Sequence, residues 1–142
     1  MNISYYVKLY GLTVPLFFVI DIIWLGVVAK SFYQKNLKYI LSPNVNWTAA
    51  IIFYLIYIAG ILIFAVLPAV AKDSLRHAAV WGALFGFFTY ATYDLTNLAL
   101  LKDWPIIIVI VDILWGVVLC SAVATLSFFV AKRMISTSWS ML

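Results

Sequence analysis

Apolar residues run along this chain in four long blocks, roughly 9–29, 49–70, 78–100 and 105–131, with short polar stretches between them. Each block meets or exceeds the approximately 20 residues that cross a hydrocarbon core of about 30 Å. The blocks are too long and too uniform for the alternating strands of a membrane barrel. In lipid the backbone must also satisfy its own hydrogen bonds, so each block predicts a helix. The expected fold is all-α: one transmembrane domain over residues 1–142, an integral membrane four-helix bundle.

Composition agrees with that pattern. The chain is 67% hydrophobic and 10% charged, with five Asp and no Glu, whereas soluble domains are about one quarter charged. Little sequence remains for a soluble domain. The net charge of +4 comes from Lys and Arg at the block ends, where they anchor to headgroups and set topology, and no basic run points to nucleic acid. The amino terminus, second loop and carboxyl tail hold five (Lys8, Lys72, Arg76, Lys132, Arg133), against four in the first and third loops (Lys30, Lys35, Lys38, Lys102). The positive-inside rule therefore favours cytoplasmic termini. The first block resembles a secretory signal only loosely: it is too long, and it contains Asp21, which a transient segment has no reason to carry.

Within the first loop, Tyr33, Leu37, Ile40 and Leu41 fall on one face at helical spacing before Ser42-Pro43-Asn44 breaks the pattern. This predicts a short helix lying at the membrane surface, with an irregular aromatic-anchored loop as the alternative. In the third loop, Lys102-Asp103-Trp104-Pro105 predicts a helix start with Asp103 as cap, making the third and fourth helices an antiparallel hairpin. Trp47, Trp81, Trp104 and Trp139 sit near block ends and are expected to be interfacial anchors.

The candidate chemistry lies in three aspartates inside apolar blocks: Asp21, Asp94 and Asp112. A carboxylate near a bilayer centre costs about 2.5–3.5 kcal/mol on insertion scales, so three require a compensating role. Asp21-Ile22-Ile23-Trp24 in the first block is echoed by Asp112-Ile113-Leu114-Trp115 in the fourth, each six or seven residues after a proline. At that spacing carboxylate and indole share a helix face, so each Asp is expected to have its own Trp beside it. In the third block Ala78, Gly82, Gly86, Tyr90 and Asp94 form a stripe four residues apart, continued by Asn97; its small-xxx-small start marks a bundle-facing side. At about 1.5 Å per residue, Asp21 and Asp112 lie about 12 and 10 Å below the same end of the bundle, with Asp94 somewhat nearer that end. The three can share one level, with Tyr90, Tyr93, Thr96 and Asn97 around them.

Three neighbouring carboxylates without a basic partner cannot all stay ionised. Protons shared among them, a hard metal ion, or an organic ammonium held by carboxylates and aromatic faces would each relieve the charge. The only histidine, His77, stands at the opposite end of the third block, and the single Cys120 reads as a small buried hydrophobe. No motif calls for a cofactor, and none is expected. The expected ligand- or ion-binding set is Asp21, Asp94, Asp112, Trp24, Trp115, Tyr90, Tyr93 and Asn97.

Taken together, Asp21-x-x-Trp24, Gly82-x-x-x-Gly86 leading into Tyr90-Ala91-Thr92-Tyr93-Asp94-Leu95-Thr96-Asn97, Lys102-Asp103-Trp104-Pro105 and Asp112-x-x-Trp115-Gly116 resemble a domain-of-unknown-function family, 2177. The resemblance implies a four-helix protein of the bacterial inner membrane and supplies neither an activity nor catalytic residues. Three functions compete. One is binding or transport of a proton, cation or cationic amphiphile, for which so small a chain would need a homodimer to form a pathway. The second is an enzyme acting on a lipid or isoprenoid, with two unlike carboxyls as acid and base. The third is a non-catalytic assembly or stress protein whose aspartates join helices.

Overall fold

The computed structural model describes residues 2–139, with side chains as far as residue 136, and among them there is no strand. Helix α1 covers Ile3–Ile23 and runs on into a π-helical turn, Trp24–Val28, before α2, Lys30–Leu37. A rod follows, made of α3 (Trp47–Ile61), a second π turn (Leu62–Val66) and α4 (Leu67–Ala71). Residues 101–105 join α5 (Leu75–Leu100) to α6 (Ile106–Trp139). Three helix starts are capped by side-chain oxygens that accept backbone N–H groups: Asn2 from Tyr5, Asn46 from Ala49 and Ser74 from His77. Such caps satisfy donors that the first helical turn leaves open.

Three stretches are long and apolar enough to cross a membrane: Ile3–Val28, Trp47–Ala71 and Ile106–Ser136. Their outer faces carry exposed Ile22, Ile23, Ile52, Ile56, Ile110 and Leu114, as lipid-facing positions do. Helix α5 has 26 residues, about 39 Å of helix. Its second half carries Thr89, Tyr90, Thr92, Tyr93, Asp94, Thr96 and Asn97, and it does not belong to the three most apolar stretches.

The expected hairpin of α5 and α6 forms, and it is the most extensive helix contact in the molecule. Its closeness depends on glycine. A Cβ on Gly82 would lie 2.6 Å from the Cys120 carbonyl oxygen, and one on Gly86 would strike the Gly116 carbonyl. Helix α1 lies along α6, where the buried Thr13 hydroxyl meets Leu9 O at 2.9 Å and Ser127 Oγ at 3.1 Å. Phe17, Ile58, Ile61, Leu119 and Val123 fill the core between them. The rod touches α5 mainly through its π turn and α4, whereas α3 contacts α5 much less. These two helices therefore diverge toward the end where α3 begins.

Two local expectations change. Helix α6 begins at Ile106, and Asp103 does not cap it: that residue adopts a left-handed conformation (φ 60°), and its carbonyl accepts a hydrogen bond from the Tyr39 hydroxyl. The first-loop helix is present, but it does not lie free at the surface. Leu37 is buried among Trp104, Ile108 and Val109, while Ile40 and Leu41 fall beyond the helix end and are exposed.

Candidate functional site

The site is assembled at the end of the bundle where α2 folds inward. The π turn after Asp21 ends α1: Ala29 N–H bonds Trp24 O at 2.7 Å, and the chain re-enters a helix at Lys30. Insertion of one π turn into an α-helix re-aims the following residues and is frequent at functional sites. Here it returns Phe32, Tyr33 and Leu37 to the bundle.

Asp21, Asp94 and Asp112 are all buried. Asp21 is held by two donors from other helices: Tyr54 OH on α3 at 3.2 Å to Oδ2 and Trp115 Nε1 on α6 at 3.4 Å to Oδ1. Asp112 Oδ1 accepts a hydrogen bond from the Tyr33 hydroxyl, which itself accepts Trp24 Nε1–H at 3.2 Å. The Trp24 and Trp115 rings are stacked, with centroids 4.3 Å apart and planes 7° from parallel. The indoles are therefore exchanged. Each serves the carboxylate on the opposite helix, directly for Trp115 and through Tyr33 for Trp24, rather than the one three residues before it. Sharing a helix face brings Asp and Trp to the same interface, but the stack across that interface carries each N–H past its own helix.

Asp94 differs from both. It is fully buried, and neither carboxyl oxygen meets a donor in hydrogen-bond geometry. Beside it is the indole N–H of Trp104, itself buried without a partner. Asp112 and Tyr33 lie near Asp94, and Asp21 and Asp112 lie near Tyr90. The aspartates thus belong to one cluster, yet among the described residues no group of three His, Cys, Asp or Glu is arranged to hold a metal ion. Aromatic side chains, rather than convergent carboxylates, bridge the positions.

Where α3 and α5 diverge, a cleft of about 710 Å³ opens, lined by Phe53, Tyr57, Phe88, Thr89, Tyr90, Thr92, Tyr93 and Asp112. Phe53, Phe88 and Tyr93 are exposed at its rim, and Tyr57 and Asp112 are buried. At its closed end Tyr57 OH lies 2.8 Å from Thr89 Oγ1 and 3.2 Å from Cys120 Sγ. Asp112 is the carboxylate of that lining, so the cleft connects the outer wall of the bundle with the aspartate cluster.

The sequence matches DUF2177, described as a predicted membrane protein, over residues 6–129. The chain belongs to that family. No curated protein and no solved structure matches it significantly. For this DUF2177 member, the fold brings together most of the residues singled out in the sequence. Asp21, Asp94, Asp112, Trp24, Trp115 and Tyr90 form the cluster. Tyr93 stands at its rim, with its ring edge-on to Trp104 at 6.1 Å, and Asn97 lies beside Tyr93. Thr96 is exposed and takes no part.

Three contributors were not legible beforehand. Trp104 is buried against Leu37, Ile108 and Val109 next to Asp94, which corrects its assignment as an interfacial anchor. Trp47 and Trp81 are exposed near helix ends, as anchors are, and the Trp139 side chain lies outside the described residues. Tyr33 had a partial signal in its amphipathic spacing. Tyr54 had only its place in an aromatic run, since its link to Asp21 depends on which helices are neighbours. His77 packs against Trp81 far from the cluster, 17 residues along α5 from Asp94, about 25 Å.

Proposed function

We propose that this protein is a four-span bundle of the bacterial inner membrane, termini in the cytoplasm, that binds a cationic amphiphile entering from the lipid. The observation that carries the reading is the cleft between α3 and α5, with aromatic walls and Asp112 in its depth. Small-molecule sites are mainly apolar concavities with a few placed polar groups, and aromatic faces together with a carboxylate suit an organic cation. Helix α5 completes the bundle as the fourth span; Thr89, Tyr90, Thr92 and Tyr93 line the cleft and Asp94 lies in the cluster, which lowers its apolarity. The Lys132–Asp73 ion pair, at 2.7 Å, joins the α4–α5 loop to the last helix at the end remote from the cluster. That arrangement agrees with a carboxyl tail and second loop on one side of the membrane.

The aspartates then divide their roles. Asp21, held by Tyr54 and Trp115, joins α1, α3 and α6, as the structural reading of intramembrane aspartates supposes. Asp112 takes the cation, and Tyr33 positions it. Every group in this account comes from one chain.

The test is saturable binding of tetraphenylphosphonium to the protein in lipid nanodiscs, followed by quenching of tryptophan fluorescence. Wild type is expected to bind the cation at least about tenfold more tightly than a neutral tetraphenyl analogue, a difference of about 1.4 kcal/mol. Asp112→Asn should abolish that preference. Equal binding of cation and neutral analogue by the wild type would remove the reading. A membrane enzyme acting on a lipid is favoured only by the unlike surroundings of the neighbouring Asp94 and Asp112. Lipid extracts that differ between producing and deleted cells would support it.

A further inference from the structure

Asp94 has no part in holding the cation, and its surroundings are unusual. It is fully buried on α5, neither oxygen meets a donor in good hydrogen-bond geometry, and the donor beside it is the Trp104 N–H. The titratable groups facing it are Asp112 on α6, Tyr33 on α2 and Tyr93 on its own helix. None of these brings a positive charge. An ionised carboxylate excluded from water is tolerated only when paired or richly hydrogen-bonded, and Asp94 has neither. By contrast Asp112 has the Tyr33 hydroxyl and opens into the cleft.

We infer that Asp94 is held as the neutral carboxylic acid, so that the site presents a single negative charge, at Asp112, and selects ligands carrying one positive charge. This deepens the proposed binding function and rests on it. The logic is that of enzymes in which an apolar setting keeps one carboxyl protonated beside a second that stays ionised. Were both ionised, Asp94 would add a second negative charge behind Asp112 and favour a dication. With Asp94 neutral, a second positive charge on the ligand enters the apolar cleft without a counter-ion. Trp104 lies beside Asp94, buried against Leu37, Ile108 and Val109, with the Tyr93 ring edge-on to it.

Two measurements decide the matter. Infrared spectroscopy of the protein in nanodiscs should show the C=O stretch of a protonated carboxyl that vanishes in Asp94→Asn, or in Asp94→Ser if the first variant is not recovered. The band should persist when tetraphenylphosphonium saturates the site. In binding, Asp94→Asn mimics the neutral acid and should stay within about twofold of wild type. A bis-phosphonium dication of similar bulk should bind the wild type at least about tenfold more weakly than the monocation. Absence of the Asp94 band, its loss on saturation, or a tenfold weakening in folded Asp94→Asn each overturns the inference and leaves the binding function standing. Failure of the wild type to bind the monocation removes the binding function and charge selection together, while the band still reports whether Asp94 is neutral.

Discussion

The α5–α6 hairpin is two different interfaces along one pair of helices. Toward the end that carries the Lys132–Asp73 ion pair, Gly82 and Gly86 press against the Cys120 and Gly116 backbone, with Ala78, Ala124 and Ala131 buried nearby. Toward the other end the same helices carry Asp94 and Asp112, and aromatic rings replace the small residues. In a bilayer no hydrophobic force drives helices together, so close van der Waals contact must hold them. The glycine end supplies it. That allows the aspartate end to be looser, to admit α2 and to open a cleft beside α3.

Substitutions at the two ends should separate stability from binding. The largest effect is expected from Gly86→Val, whose side chain meets the Gly116 backbone with no flexible group to yield. Unfolding in mixed micelles should show a loss of about 3 kcal/mol, the upper range for an overpacked contact. Unchanged stability would mean that the glycine end is not what holds the pair. Next is Asp112→Asn, which should weaken tetraphenylphosphonium binding by about 2 kcal/mol or more while unfolding shifts by less than about 1 kcal/mol. A fall in stability as large as the fall in binding would erase the distinction between the two ends.

Trp115→Phe keeps a ring in the stack and removes the N–H that reaches Asp21. A stability loss of about 0.6–1.7 kcal/mol is expected, within the range measured for hydrogen bonds between membrane helices, with cation affinity nearly unchanged. A large loss of affinity instead would assign Asp21 to the ligand rather than to helix joining. The smallest effect belongs to the packed half. A double-mutant cycle of Thr13→Ala and Ser127→Ala should give a coupling of about 0.6 kcal/mol for their buried contact. No change in binding should accompany it.

Much of this was readable in the residues because it follows from local period and solvent preference. The long apolar blocks fixed helices, the glycine stripe fixed an inward face for α5, and the costly aspartates marked polar side chains that the fold would bury. The Asp-x-x-Trp repeat pointed correctly to one interface and wrongly to same-helix pairs. Three-residue spacing determines a shared face, but the Trp24–Trp115 stack depends on the distance and angle between α1 and α6. Trp104 looked like an anchor because it sits beside a helix end. It is buried because α2 covers it, and nothing in a loop sequence states which way a short amphipathic helix will turn.

By itself, then, the sequence determined the helical blocks and the three costly carboxyl groups within them, since both follow from transfer free energies that belong to residue types. Only the tertiary structure decided that the three carboxyls are unlike: Asp21 with two fixed donors, Asp112 open to a cleft, Asp94 sealed without a partner. Hydrogen-bond partners and exclusion of water arise between helices, from crossing geometry and from a π turn that sends α2 inward. Those are properties of contacts distant along the chain, and no local pattern encodes them.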